Sequence, residues 1–266
     1  MLAILAAVGV ALSVGTMQPE RCSVNLHAEV ATVTAGQPFW VALQFEIEPG
    51  WHIYWTNPGD SGLPTEIRWK LPPGFRVSEV RWPTPHRFEA GGLVSYGFEG
   101  APIVLARIVP PERLDQASPT AIGVETDWMV CNENCELGSS NAGLEWGRAP
   151  ATAKLFETAR AALPRPGTAL NARAVRTEKG CRLQFHLQGK PEVAGATFFA
   201  AASGLVSPSA AQQVKREAGT YELSLETLPG AKQPGSLDGV LTVSFANKTT
   251  ESYWIKAPFS LEGGKE

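Results

Sequence analysis

Four cysteines are the residues of this 266-residue sequence whose type and spacing point most directly to chemistry. Cys131 and Cys135 are separated by three residues, whereas Cys22 and Cys181 lie far from them and from each other. Two thiols this close in sequence can form a reversible disulfide, close a loop, or bind a soft metal ion such as copper(I). The spacing alone does not choose among these uses.

Loop-closure entropy separates the two pairs. A Cys131–Cys135 bridge closes a ring of five residues, worth about 2 kcal/mol, whereas a Cys22–Cys181 bridge closes one of 160 residues, worth about 5 kcal/mol. We therefore predict redox chemistry for the first pair and a structural disulfide for the second. A plain structural disulfide is the alternative for the first pair, because no Lys, Arg or His lies between its cysteines to favour a thiolate.

Other catalytic or metal-binding patterns are weak in this sequence. The four histidines, His27, His52, His86 and His186, are scattered singly, so no set with metal-ligand spacing is evident. There is no Gly-x-Ser-x-Gly motif and no glycine-rich phosphate loop, so hydrolase and nucleotide chemistry are disfavoured. We expect no organic cofactor and no resident metal. The second candidate function is a copper(I)-binding or docking module that is not an enzyme.

The charge balance and the N-terminus indicate an exported protein that does not bind nucleic acid. The 23 Lys and Arg against 26 Asp and Glu give a net charge of −3 without a basic run. Residues 1–18 are apolar and uncharged, which predicts a signal peptide. No Lys or Arg lies near Met1, so a misplaced start or a buried first strand is the alternative. No other stretch reaches 18 apolar residues, so we expect no membrane span in the mature chain.

The 26 Gly and 21 Pro residues favour short strands and turns over long helices. Alternating apolar residues, as in 39–47, predict half-buried strands in both halves of the chain and thus antiparallel β-sandwiches. One helix is predicted from Pro150 to Leu163. The expected organisation is a first domain at 19–149, a helical linker at 150–165, a smaller β-domain at 166–262 and a tail at 263–266.

Four segments in order carry a family resemblance: 51–64 (WHIYWTNPGDSGLP), 81–88 (RWPTPHRF), 91–100 (GGLVSYGFEG) and 128–135 (WMVCNENC). Together they resemble the periplasmic N-terminal domain of the DsbD/ScsB thiol:disulfide interchange family, and the ScsB-like branch more closely. The resemblance covers about residues 27 to 146. It implies that the sandwich domains are immunoglobulin-like, that the protein is periplasmic, and that it is connected with copper tolerance.

The resemblance also implies an activity and partners. Cys131 and Cys135 are expected to be the exchanging pair of a thiol-disulfide oxidoreductase of the protein-disulfide reductase type. Electrons are expected to come from a membrane partner of the DsbD/CcdA type and to pass to thioredoxin-like periplasmic proteins. The 266 residues contain neither the membrane domain nor the thioredoxin-like domain of the full-length family. We therefore expect a stand-alone relay or a part of a longer protein.

Members of this family shield the cysteine pair with a loop that carries an aromatic ring. The resemblance places the corresponding loop at 95–100 and predicts Tyr96 or Phe98 as the covering ring. Strand packing is the alternative role for these two aromatic residues.

Overall fold

The computed structural model describes residues 21–114, 121–144, 153–178, 180–231 and 234–260. The predicted signal peptide at 1–18 and the tail at 263–266 lie outside these ranges. Within them the chain is almost entirely β-structure, and most strand pairs are antiparallel, as the sequence predicts. No helix in these ranges has the length and apolar character needed to cross a bilayer.

The first sandwich comprises ten strands in two sheets. They are β1 (Cys22–Ala28), β2 (Phe39–Ile47), β3 (His52–Gly59), β4 (Glu66–Lys70), β5 (Arg76–Arg81), β6 (His86–Ala90), β7 (Leu93–Phe98), β8 (Ile103–Val109), β9 (Ile122–Cys131) and β10 (Cys135–Leu144). One sheet has the order β1-β2-β8-β5. The other has the order β10-β9-β3-β7-β6, with β4 also paired to β9.

The core of the first sandwich lies between these sheets, and in β9 it is built by alternation along the strand. In β9, Val124, Thr126, Trp128 and Val130 are buried, and the residues that alternate with them are more exposed. Trp128 meets Phe45 of the facing sheet edge-on, with 6.3 Å between ring centroids. Apolar burial of this kind is the main source of folding free energy, so it fixes which face of β9 turns inward.

A helix covers the outer face of the first sheet. α1 (Ala153–Ala162) buries Phe156 and Ala159 against Ala42 of β2 and Leu105 of β8. The Thr84 amide donates a hydrogen bond to the carbonyl of Ala162 at 3.0 Å, which fixes the end of the helix. This packing explains why β2 and β8 are buried on both faces. The predicted start of the helix at Pro150 lies outside the described residues.

The second sandwich follows α1. It contains β11 (Arg165–Pro166), β12 (Arg173–Thr177), β13 (Gly180–Phe185), β14 (Val193–Ala200), β15 (Gln213–Glu217), β16 (Thr220–Glu226), β17 (Ser236–Phe245) and β18 (Thr250–Ser260). The strand order is β14-β17-β18-β12-β13-β16-β15, with β11 paired in parallel to β18. β12 meets the end of β18 in parallel, so β18 links the two layers of this sandwich. Its core is a separate apolar cluster.

Buried polar and aromatic contacts join the two sandwiches. The Asn57 side-chain amide donates hydrogen bonds to the carbonyls of Ala200, at 2.7 Å, and Ala202, at 3.4 Å. Tyr96 packs edge-on against Phe199 with 4.9 Å between ring centroids. Asn57 and Tyr96 belong to the first sandwich, and their partners lie at the end of β14, so the contact buries polar and apolar groups together.

The turn after Asn57 is rigid for local reasons. The Gly59 amide donates to the Asn57 side-chain oxygen at 3.1 Å, and Gly59 has φ +92°, which favours glycine. A Cβ atom on Gly59 would lie 2.4 Å from the carbonyl oxygen of Val94. Asp60 exchanges two hydrogen bonds with Val94, through its amide at 2.8 Å and its carboxylate at 3.0 Å. The Asn-Pro-Gly-Asp segment thus maintains the fold.

The predicted disulfide between Cys22 and Cys181 is wrong. Cys181 carries a free thiol buried in the core of the second sandwich. Cys22 lies in β1, in the core of the first sandwich. Loop entropy favours a long ring, but the two cores are separate, and a disulfide requires Cα atoms within about 7 Å.

Replacing Asn57 by Ala is expected to lower the free energy of unfolding by about 1–3 kcal/mol, because it removes the side chain that satisfies the carbonyl of Ala200 between the sandwiches. Urea denaturation followed by tryptophan fluorescence measures the loss. Asn141 is exposed on β10, so Asn141→Ala is the matched control and is expected to change stability little. Equal losses in the two variants would contradict the role given to Asn57.

The Cys181 thiol is expected to resist alkylation in the native protein. Burial raises its pKa to about 11, so only on the order of 10⁻³ of it is thiolate at pH 8. Iodoacetamide treatment at pH 8 followed by peptide mapping measures the modification. The control is the same treatment in guanidinium, where Cys181 should react. Native modification at the unfolded rate would contradict its burial.

Candidate active site

The end of β9 and the start of β10 bring Cys131 and Cys135 together. The two residues are directly opposed in the antiparallel register of this hairpin. Their sulfur atoms are joined by a disulfide, and their Cα atoms are 4.2 Å apart. A hydrogen bond of 3.0 Å from the Asn132 amide to the carbonyl of Asn134 closes the three-residue loop between them. The disulfide therefore lies at the tip of the β9–β10 hairpin.

The two cysteines differ in their access to solvent. Cys131 is 2% exposed, whereas Cys135 is an exposed residue. Val130, the neighbour of Cys131, belongs to the sandwich core, so alternation turns the Cys131 side chain to the opposite face of the sheet. A thiolate that approaches from solvent therefore meets Cys135 first, with Cys131 behind it. This arrangement suits exchange through a mixed disulfide.

A histidine lies next to the disulfide on the neighbouring strand. His52 of β3 is directly opposite Cys131 of β9. Its ring stacks on Phe88 with 4.4 Å between centroids and 12° between planes, and it meets Tyr54 edge-on at 5.3 Å. Burial lowers the pKa of His52, and the carboxylate of Glu99 acts against this effect. The imidazole is therefore mainly neutral at pH 7.

A cation lies on the other side of the hairpin. Arg21 binds the carboxylate of Glu48 at 2.6 Å, and its Nε lies 3.8 Å from the carboxylate of Glu136, the residue after Cys135. Its guanidinium also lies over the Trp51 ring, 4.8 Å from the centroid. These groups are partly exposed, so each ion pair contributes little to stability. Their effect is to place a positive charge close to the start of β10.

The sequence analysis did not assign His52 or Arg21 to the site. Both are distant in sequence from Cys131 and Cys135. His52 reaches the hairpin through the pairing of β3 with β9, and Arg21 reaches it through its ion pair with Glu136. The alternation of the 51–55 segment predicts a strand that contains His52. Only the register between β3 and β9 shows which residue lies opposite His52.

The prediction that Tyr96 or Phe98 covers the disulfide is wrong. Both rings lie in the core of the first sandwich, on β7, at 2% and 3% exposure. Phe98 stacks on Trp82 at 5.8 Å, and Tyr96 packs against the second sandwich. The segment predicted as a loop is mostly strand, so alternation directs these rings inward. The aromatic ring that the fold brings to His52, next to Cys131, is Phe88.

A metal site is not evident in the part of the chain that the structure describes. There, no group of three or more His, Cys, Asp or Glu side chains is arranged to hold a metal ion.

Comparison with known proteins finds a family model and solved structures that are similar to this chain. Residues 23–141 match the family model of the thiol:disulfide interchange protein DsbD, N-terminal. The N-terminal periplasmic domain of ScsB from Proteus mirabilis has the same fold, with a TM-score of 0.63 at 14% identity over 89% of this chain and 92% of that one.

A second solved structure and the curated proteins complete the comparison. The reduced DsbD N-terminal domain of Neisseria meningitidis aligns at 12% identity and a TM-score of 0.31, over 48% of this chain and 90% of that one. No curated protein matches the chain in sequence. The matched residues contain all of β9 and β10 as far as Asn141, with both cysteines of the hairpin. Residues 23–141 of this chain, which include both cysteines of the hairpin, are therefore similar to the N-terminal domain of the thiol:disulfide interchange protein DsbD.

Proposed function

We propose that this protein is a periplasmic electron relay in which Cys131 and Cys135 alternate between a disulfide and two thiols. Electrons arrive from a membrane donor of the DsbD/CcdA type and leave to thioredoxin-like periplasmic proteins. The observation that carries the proposal is the asymmetric disulfide at the hairpin tip, with Cys135 exposed and Cys131 2% exposed.

The asymmetry assigns a role to each cysteine. A donor thiolate attacks the Cys135 sulfur, and the Cys131–Cys135 bond breaks. Cys131 leaves with the bonding electron pair and takes up a proton. A second thiol of the donor then attacks the mixed disulfide, so the donor becomes oxidised and both cysteines of this protein become thiols.

Delivery of electrons follows the same steps in reverse. The Cys135 thiolate attacks the disulfide of a thioredoxin-like acceptor and forms a mixed disulfide, while one acceptor sulfur leaves as a thiolate. Cys131 then attacks Cys135, closes the original disulfide and releases the acceptor in its dithiol form. Two electrons pass in each cycle, and no organic cofactor is needed.

The hairpin tip suits a protein partner. Cys135 directly follows the loop formed by Asn132, Glu133 and Asn134. All three loop residues are exposed. A partner that carries its own reactive cysteine on a protruding surface can therefore approach without opening the sandwich. The second sandwich contacts the first through Asn57 and Tyr96. The tip of the hairpin, residues 132–137, stays exposed among the described residues.

Single cysteine variants should separate the two roles. In Cys131→Ser the exposed Cys135 is kept, so this reduced variant is expected to react with 5,5′-dithiobis(2-nitrobenzoate) at least about 10-fold faster than Cys135→Ser, which keeps only the buried Cys131. Cys131→Ser should also form a lasting mixed disulfide with an oxidised thioredoxin-like protein, visible on a non-reducing gel. Both variants should stay folded, because a five-residue ring is worth only about 2 kcal/mol.

The control for this experiment is the double variant Cys131→Ser/Cys135→Ser. It keeps Cys22 and Cys181 and so reports the background reaction of the buried thiols. Equal rates for the two single variants, or faster reaction at Cys131, would contradict the assignment of Cys135 as the exchanging sulfur.

A further inference from the structure

The disulfide belongs to a row of side chains that runs across three neighbouring strands. His52 of β3 is opposite Cys131 of β9, and Ile53 of β3 is opposite Phe98 of β7. Glu99 follows Phe98 directly after the end of β7, and its carboxylate acts electrostatically on His52. Directly opposed residues point to the same face, with Cβ atoms about 4.5–5.5 Å apart. The Cys131 sulfur and the His52 imidazole are thus on the same face of the sheet in neighbouring strands, and the Glu99 carboxylate is close enough to act on the imidazole.

The imidazole is held in place by its neighbours. Phe88 of β6 stacks on one face of the His52 ring at 4.4 Å, and Tyr54 meets the ring edge-on at 5.3 Å. These contacts restrict the ring and exclude part of the surrounding water. A base that is fixed in this way loses little entropy when it accepts a proton from a neighbouring group.

The charges around this position set the protonation state of His52. Besides the two cysteines, the titratable or charged side chains that the structure describes on β3, β6, β7, β9 and β10 and next to their ends are Tyr54, Asp60, His86, Arg87, Glu89, Tyr96, Glu99, Glu125, Asp127, Glu133 and Glu136. Asp127 pairs with Arg68 on β4, and Glu125 pairs with Lys70. Burial is the largest influence and lowers the pKa of His52, with Glu99 acting in the opposite direction. At pH 7 the ring is therefore available to accept a proton.

The buried cysteine is the one that needs a base. Cys131 is 2% exposed, and burial disfavours a thiolate, whereas Cys135 is exposed and can ionise directly into solvent. The resolving step requires the Cys131 thiolate, because the thiol is not nucleophilic. Solvent has poor access to that proton, but His52 lies directly opposite on the next strand.

We propose that His52 is the proton acceptor for Cys131 in the resolving step, and that Glu99 stabilises the imidazolium that forms. This inference rests on the proposed exchange function. The Cys131 proton passes to His52 as the Cys131 sulfur attacks Cys135. The new S–S bond forms, the bond from Cys135 to the partner sulfur breaks, and the partner leaves as a thiolate. The imidazolium then releases the proton to solvent, and when the protein is reduced again the departing Cys131 sulfur takes up a proton.

The test uses the reduced full chain and glutathione disulfide as the probe. Cys135 first forms a mixed disulfide with glutathione, and Cys131 then resolves it. Acid quenching followed by mass spectrometry measures the rates of the two steps separately. His52→Gln is expected to slow resolution by at least about 10-fold at pH 7 and to leave formation of the mixed disulfide unchanged. His86→Gln is the matched control, because His86 is an exposed histidine on β6 of the same sheet.

The pH profile distinguishes proton transfer from simple packing. The wild-type protein and the His86→Gln variant should show an inflection in the resolution rate below pH 6.5, where His52 becomes protonated. In His52→Gln this inflection should vanish, and the rate should rise with pH until the Cys131 thiol itself ionises. Glu99→Gln leaves the packed ring intact and should move the inflection to lower pH, because Glu99 raises the pKa of His52.

Each outcome bears on a separate claim. Resolution with the wild-type rate and pH profile in His52→Gln would overturn the role of His52 while leaving the exchange function intact. Failure of the wild-type protein to form any mixed disulfide at Cys135 would instead overturn the exchange function. If His52→Gln does not fold, an unchanged inflection in Glu99→Gln overturns the inference.

Discussion

The register of β9 is the constraint on which the site depends. β9 is hydrogen-bonded to β10 along its whole length, and on its other edge to β4 and then to β3. A slip of one residue would turn Val130 outward and Cys131 into the core. Trp128 helps to prevent this slip, because its indole lies against Gly138 of β10, where a Cβ atom would be 2.4 Å from the indole nitrogen. Core packing thus determines that Cys131 meets both Cys135 and His52.

Local patterns in the sequence predict the strands well and their partners poorly. The strand predicted at 39–47 is β2 with the same bounds, because alternation and flanking turns are local signals. The alternation in β9 likewise predicts a strand that delivers Cys131 to its end. The position of His52 opposite Cys131 depends on the strand order. That order is set by pairing between residues more than 70 positions apart, so no local pattern predicts it.

The two errors have the same physical origin. Loop entropy describes the unfolded chain, so it favours a Cys22–Cys181 bridge without reference to the separate cores in which these residues lie. The aromatic residues Tyr96 and Phe98 were assigned to a loop, but β7 continues through them, and a strand between two others directs alternate side chains inward. Phe88 could not be recognised, because its contact with His52 reaches across the sheet.

The central claim is that the Cys131–Cys135 disulfide is a working redox couple rather than a structural bridge. The most direct test is its reduction potential, measured by equilibrating the full chain in glutathione or dithiothreitol buffers and locating the disulfide by peptide mapping. A potential between about −270 and −120 mV, the span of disulfide-exchange proteins, is the predicted result. A potential well below about −300 mV, with the bond oxidised throughout, would contradict the account and identify a structural disulfide.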